Sequence, residues 1–145
     1  MGGIGVSVLK SVTWILILAS ILLANNADKI KNQIITELGR ILTQKENPNI
    51  CILNDSNKAF FLQLNKTKAC KKADIAFVSS FVKYKKLLNH SIPVIALSYR
   101  EYLRYNMQMA GAFFWQKGRP NIIIRDGWIQ KNKIVIPLKY RHFIE

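Results

Sequence analysis

Three short runs of almost unbroken apolar residues punctuate the middle of the chain: Asn49-Ile-Cys-Ile-Leu53, Ala73-Asp-Ile-Ala-Phe-Val78 and Pro93-Val-Ile-Ala-Leu97. None shows the apolar–polar alternation of a strand with one wet face. A strand that is apolar throughout has to be covered on both sides, which is the situation in parallel sheets flanked by helices. Turn-forming residues close each run: Asn54-Asp-Ser-Asn57, Ser79-Ser80 and Ser98.

The stretches around these runs carry helical patterns. From Asp28 to about Gln44, apolar residues fall at Ile30, Ile34, Leu38, Ile41 and Leu42, with Ile35 beside the stripe. Asn26 or Asp28 can cap its start, and Asn47-Pro48 stops it. Short helices are predicted over Lys58–Asn65 (Phe60, Phe61, Leu62, Leu64), over Phe81–Asn89 with Val82, Leu87 and Leu88 inward, and over Tyr99–Asn106 with Tyr102, Leu103 and Tyr105 packed. The pattern then changes. Ala110–Trp115, the turn Gln116-Lys-Gly-Arg119 and Asn121–Arg125 read as a β-hairpin. Ile134–Ile136 reads as one more extended piece, and Pro137 opens a terminal helical turn through Ile144. The expected fold is a single α/β domain over residues 28–145. It has three layers and a mixed, mostly parallel sheet of about five strands with a C-terminal β-hairpin.

Residues 1–27 have a different character. Lys10 precedes the apolar run Val12–Ala24, and polar Asn25-Asn26-Ala27-Asp28 follows. A positive flank, a short apolar stretch and a small residue before a polar start describe a secretory signal peptide. The run is shorter than the roughly 20 apolar residues that comfortably span a bilayer. Cleavage after Ala24 or Ala27, an uncleaved anchor in the inner membrane and a buried core helix are the readings these residues leave open. Export is the expectation, placing the domain in the periplasm, away from ATP and DNA.

Charge is lopsided: 22 Lys and Arg stand against 8 Asp and Glu, a net +14. The basic residues are spread along the chain, with small groups at Lys66-Lys68-Lys71-Lys72 and Lys83-Lys85-Lys86. A solvated surface, an anionic membrane surface and an acidic protein face all fit this spread. Export argues against nucleic acid. Half the residues are hydrophobic, so the chain can bury a core and is not disordered.

Reactive groups are sparse. The histidines are His90 and His142, no Cys or His pair has zinc-ligand spacing, and phosphate-binding, dinucleotide-binding and G-x-S-x-G motifs are missing. No catalytic residue, metal or cofactor is expected, and the chain is not read as an enzyme. Ligands in open α/β sheets usually bind at the carboxyl ends of the strands. Here those ends carry Asn54, Ser79 and Ser98, the candidate site for a small anionic ligand. The same residue types also cap helices. Cys51 and Cys70 lie on and just before two neighbouring strands. In an exported domain such a pair suggests a disulfide, the alternative being two buried thiols. Phe113-Phe-Trp-Gln-Lys-Gly-Arg-Pro-Asn121 mixes aromatic and basic residues as interface anchors do. Phe113 and Trp115 share one face, and Phe114 points to the other.

The order of these pieces resembles the periplasmic YfiR-like family across roughly residues 30 to 140. The resemblance rests on the leader, the helix, the Cys-bearing strand Ile50-Cys-Ile-Leu53 and a second Cys ahead of an Ile-Ala-Phe-Val strand. It also rests on Ile92-Pro-Val-Ile-Ala-Leu-Ser98, the glycine-led hairpin Gly111–Arg125, and the close at Ile134–Leu138. The chain departs from the family where Arg125 replaces an asparagine after Ile122-Ile-Ile124. Cys70 also lies a few residues early, and a further C-terminal Cys pair is missing. The resemblance implies a non-catalytic periplasmic regulator. The founding member represses an inner-membrane diguanylate cyclase through that enzyme's periplasmic domain, and histidine kinases are also thought to be served. The expected contact residues are Phe114, Trp115, Lys117, Arg119 and Arg125.

Overall fold

The computed structural model describes residues 26–54 and 70–145. The expected leader, the helix expected over Lys58–Asn65 and the lysines Lys66 and Lys68 lie outside the described residues.

Residues 26–43 are helical (α1). Ile35, Leu38, Ile41 and Leu42 are buried on one face at three- and four-residue spacing. Leu38, Ile41 and Leu42 of the expected stripe are thus buried together with Ile35, which was expected beside it, while Ile30 is 42% exposed. Two adjacent rows of this helix are apolar, and the row that meets the sheet is the one carrying Ile35. The helix also stops before Asn47-Pro48. Gln44 takes a left-handed φ of 57°, and its side-chain amide donates to the Ile41 carbonyl at 2.6 Å. That bond satisfies one of the carbonyls a helix end leaves open.

The strands are β1 (Ile50–Leu53), β2 (Ile75–Val78), β3 (Val94–Ala96), β4 (Gly111–Gln116) and β5 (Arg119–Ile124). They form one five-stranded sheet in the order of the sequence. The first four run parallel, and β5 returns antiparallel to β4. Lys117 and Gly118 make the two-residue turn with φ of 51° and 72°, the doubly left-handed geometry that suits the twist of a hairpin.

Alternation along the strands builds a core on each face. Ile50, Ile75, Phe77, Ile95, Phe113 and Ile124 face α1 and the later helix α4 (Asp126–Asn132). Cys51, Ala76, Val78, Ala96 and Ala112 face the opposite side, where Tyr102 and Met109 cover them. That side holds α2 (Phe81–Tyr84) and α3 (Tyr99–Tyr105). Right-handed crossovers that step one way across a sheet all fall on the same face. The β2–β3 and β3–β4 connections both place their helices on one face, leaving the other to α1, α4 and the helical turn Leu138–Phe143. The three-layer α/β arrangement with a mixed, mostly parallel sheet is thus the observed fold.

Three local expectations are corrected. The helix expected over Phe81–Asn89 is one α-turn followed by a 3₁₀ turn, Lys85–Leu87. Val82 and Leu87 face outward, at 52% and 47% exposed, and only Leu88 of the expected three is buried; the tighter period after Tyr84 accounts for the outward turn of Leu87. Leu103 of α3 is likewise exposed, whereas Tyr102 is buried. Ile134–Ile136 forms no strand. The neighbour along β5 is instead an isolated parallel bridge between Ile124 and Ile144. There Glu145 donates its N–H to the Ile124 carbonyl at 2.9 Å and accepts from Asp126 N–H at 2.7 Å. These bonds cover part of an edge that would otherwise invite pairing.

Asp74 ties the end of α1 to the start of the sheet. One carboxylate oxygen accepts from Lys45 Nζ at 2.5 Å and the other from Asn49 N–H at 2.8 Å. The Lys45 hydrogen bond, then the Asn49 N–H, hold its pKa below the usual carboxylate value. A depressed folded-state pKa stabilises the fold above the ordinary aspartate range, and that contribution is lost as pH falls through the folded value. Asp74→Asn is expected to cost about 1 kcal/mol at neutral pH. It should also flatten the acid limb of stability, as read by urea denaturation at a series of pH values. A variant whose acid limb matches the parent would remove Asp74 as its source.

Candidate functional site

The hairpin tip gathers part of the expected contact surface. Trp115 pairs across the ladder with Pro120, and Gln116 with Arg119, so Trp115, Lys117 and Arg119 lie within a few residues of one another around the turn. All three are exposed, Trp115 at 36%. Lys31 of α1 places its ammonium 5.0 Å from the Trp115 ring centroid, a cation–π distance. Partial burial lowers the Lys31 pKa, and Asp28 partly offsets this. Gly111–Ile124 contains no acidic residue. The tip therefore presents an indole flanked by cations, suited to a carboxylate-bearing surface.

Phe114 and Arg125 stand apart from this tip. Phe114 is half-buried on the opposite face, its ring 5.7 Å from that of Tyr99. Arg125 follows the far end of β5, about 20 Å along the strand from Arg119 at the usual rise per residue. Its Nε donates to the Met109 carbonyl at 2.7 Å, and Nη2 lies 3.5 Å from the Met107 carbonyl. The side chain thus latches β5 to the segment entering β4.

The three strand-end residues lie at one end of the sheet. Asn54, Ser79 and Ser98 all follow the carboxyl ends of adjacent parallel strands. Ser98 accepts from Glu101 N–H at 3.2 Å, capping α3. The Glu101 carboxylate accepts from Phe81 N–H at 2.7 Å, joining the starts of α2 and α3. Among the described residues the strand order never reverses, so these strands form no switch-point crevice of the kind in which such sheets usually hold ligands.

Cys51 and Cys70 are joined by a disulfide, with Cα atoms 5.4 Å apart, within the span such a bond requires. Among the described residues no group of three or more His, Cys, Asp or Glu is placed to hold a metal ion, and no helix is long and apolar enough to cross a membrane.

Sequence reasoning did not find a cavity of about 180 Å³ at the other edge of the sheet, by the amino ends of β3 and β4. Lys85, His90, Arg125, Trp128 and Lys131 line it, drawn from the α2–β3 connection, the end of β5 and α4. No spacing rule connects residues from three separate segments. Only the departure at Arg125 marked the place. Comparison of the chain with protein-family models, curated proteins and solved structures gave no match.

Proposed function

We propose that this chain is an exported, non-catalytic regulator that binds the outward-facing domain of a membrane signalling protein of the diguanylate cyclase or sensor-kinase type. The disulfide between β1 and the turn Cys70–Lys72 carries this reading, because such bonds persist outside the reducing cytoplasm. The resemblance to YfiR-like proteins supplies the class of partner. Binding shifts that partner between states by differing in affinity for them. The hairpin tip, with Trp115, Lys117 and Arg119, meets an acidic face, and Phe114 and Arg125 support it from the body of the domain.

The reversals Lys117→Glu and Arg119→Glu together should weaken capture of the partner from crosslinked membranes by at least about tenfold, since like charges then face each other. Neither side chain is in an ion pair among the described residues. Glu meets the left-handed backbone at position 117 much as Lys does. Stability should therefore stay within about 0.5 kcal/mol of the parent. Unchanged capture by a folded double variant would remove the tip from the contact surface.

A further inference from the structure

The cavity by the amino ends of β3 and β4 brings Lys85, Arg125 and Lys131 together with the His90 ring, and among the described residues no Asp or Glu lines it. None of the three cationic side chains is in an ion pair among the described residues. Like charges gathered around one hollow repel each other, and a bound anion relieves that cost. The wall behind them is apolar, built from Leu88, Ile92 and Val94. A charged rim over an apolar floor is the usual composition of a small-molecule site.

Arg125 is set in place before any ligand arrives. Two backbone carbonyls, of Met109 and Met107, hold Nε and Nη2. A Cβ at position 127 would collide with Nη1, so Gly127 is what lets the guanidinium lie there. Nη1 has no protein acceptor among the described residues. A fixed guanidinium with free N–H groups recognises carboxylate and phosphate oxygens well, because little side-chain freedom is lost on binding. The Trp128 side chain lines this cavity and also a neighbouring hollow beside Leu42 and Asn132. Its indole Nε1–H is shielded from solvent and has no hydrogen-bond partner among the described residues. A buried donor without an acceptor costs about 1–3 kcal/mol and calls for an explanation.

We propose that this cavity binds a small organic oxyanion, a carboxylate or phosphate ester with a compact apolar body, whose charged oxygens meet Arg125, Lys85 and Lys131. The volume corresponds to about six water molecules at their liquid density, room for a single small ring or short chain within the hollow. The site lies at the opposite edge of the sheet from Asn54, Ser79 and Ser98. It does not depend on the regulatory reading.

Benzoate and phenyl phosphate, with benzyl alcohol and inorganic phosphate as controls, provide the test on the full chain. The readouts are titration calorimetry and the indole N–H resonances in NMR, that of Trp128 being assigned by its loss in Trp128→Phe. Benzoate or phenyl phosphate at millimolar concentration should shift the Trp128 resonance and leave that of Trp115 in place, and benzyl alcohol should do neither. The exposed pair Lys85→Ala and Lys131→Ala should fold normally and weaken binding about tenfold, equivalent to about 1.4 kcal/mol. Arg125→Lys should weaken it further, though loss of its backbone latch also perturbs the fold, so the lysine pair decides. Failure of both organic anions to move Trp128 would overturn the proposal. So would equal binding of benzyl alcohol, equal binding of inorganic phosphate, or undiminished binding by the lysine variant.

Discussion

Gly111→Ala is expected to destabilise the domain by about 3 kcal/mol or more, lowering its thermal midpoint by about 10 °C. A Cβ at position 111 would run into the Ile123 carbonyl oxygen and sit 3.0 Å from the Ile123 carbonyl carbon and 3.2 Å from Ile124 Cα. Those atoms are backbone, so no side chain can swing aside. They are also held in place, because Gly111 pairs with Ile124 and with Ile95, and Arg125 N–H donates to the Ala110 carbonyl at 2.8 Å. Relief requires opening the seam where the parallel sheet passes into the hairpin. Gly118→Ala is the matched control. It has open space around it but a φ of 72°, so it should cost only about 1 kcal/mol through backbone strain. Urea denaturation of the two variants separates these causes. A Gly111→Ala midpoint no lower than that of Gly118→Ala would mean that the seam is looser than these contacts imply.

Gly111 also marks a limit of what can be read from the chain. Its place at the head of the hairpin was legible, because Ala110–Trp115 and Asn121–Arg125 flank a Lys-Gly turn. Its close approach to β5 was not, because that depends on register and strand twist. The three apolar runs announced the parallel strands, since continuous hydrophobicity reports burial on both faces. They did not announce the order in which the strands pair, which among the described residues follows the sequence without a switch point. Helix existence was easier to read than helix rotation. Ile34 and Ile35 of α1 are chemically alike, and contact with Ile50 and Phe77 decides which row is buried. The hairpin tip was visible as a local cluster of aromatic and basic residues. The cavity around Arg125 was hidden because its walls come from segments far apart in the sequence.

Loss of the disulfide should be the second large effect. Cys51 lies on β1 at 2% exposed, and Cys70 opens the turn that leads into β2. The bond closes a separation of 19 residues. By the chain-entropy account, a loop of that size restricts the unfolded chain enough to stabilise the fold by about 3 kcal/mol. Cys51→Ala with Cys70→Ala should lose about that amount. Reductant should bring the parent protein down to the same midpoint and leave the double variant where it is. That pattern separates the cross-link from packing, since a merely buried thiol would respond to alanine substitution and not to reductant. The functional stake is larger than the stability. Thiols trapped in intact cells before lysis report the compartment directly. Oxidised cysteines, which escape the trapping reagent, on a chain shortened by its first 24 or 27 residues would support the exported regulator, and crosslinking at the membrane would then seek its partner. Two free thiols on a chain of full length would remove the ground for export, for the YfiR-like reading and for the partner it implies. The basic surface would then have to be read afresh against cytoplasmic partners, nucleic acid among them.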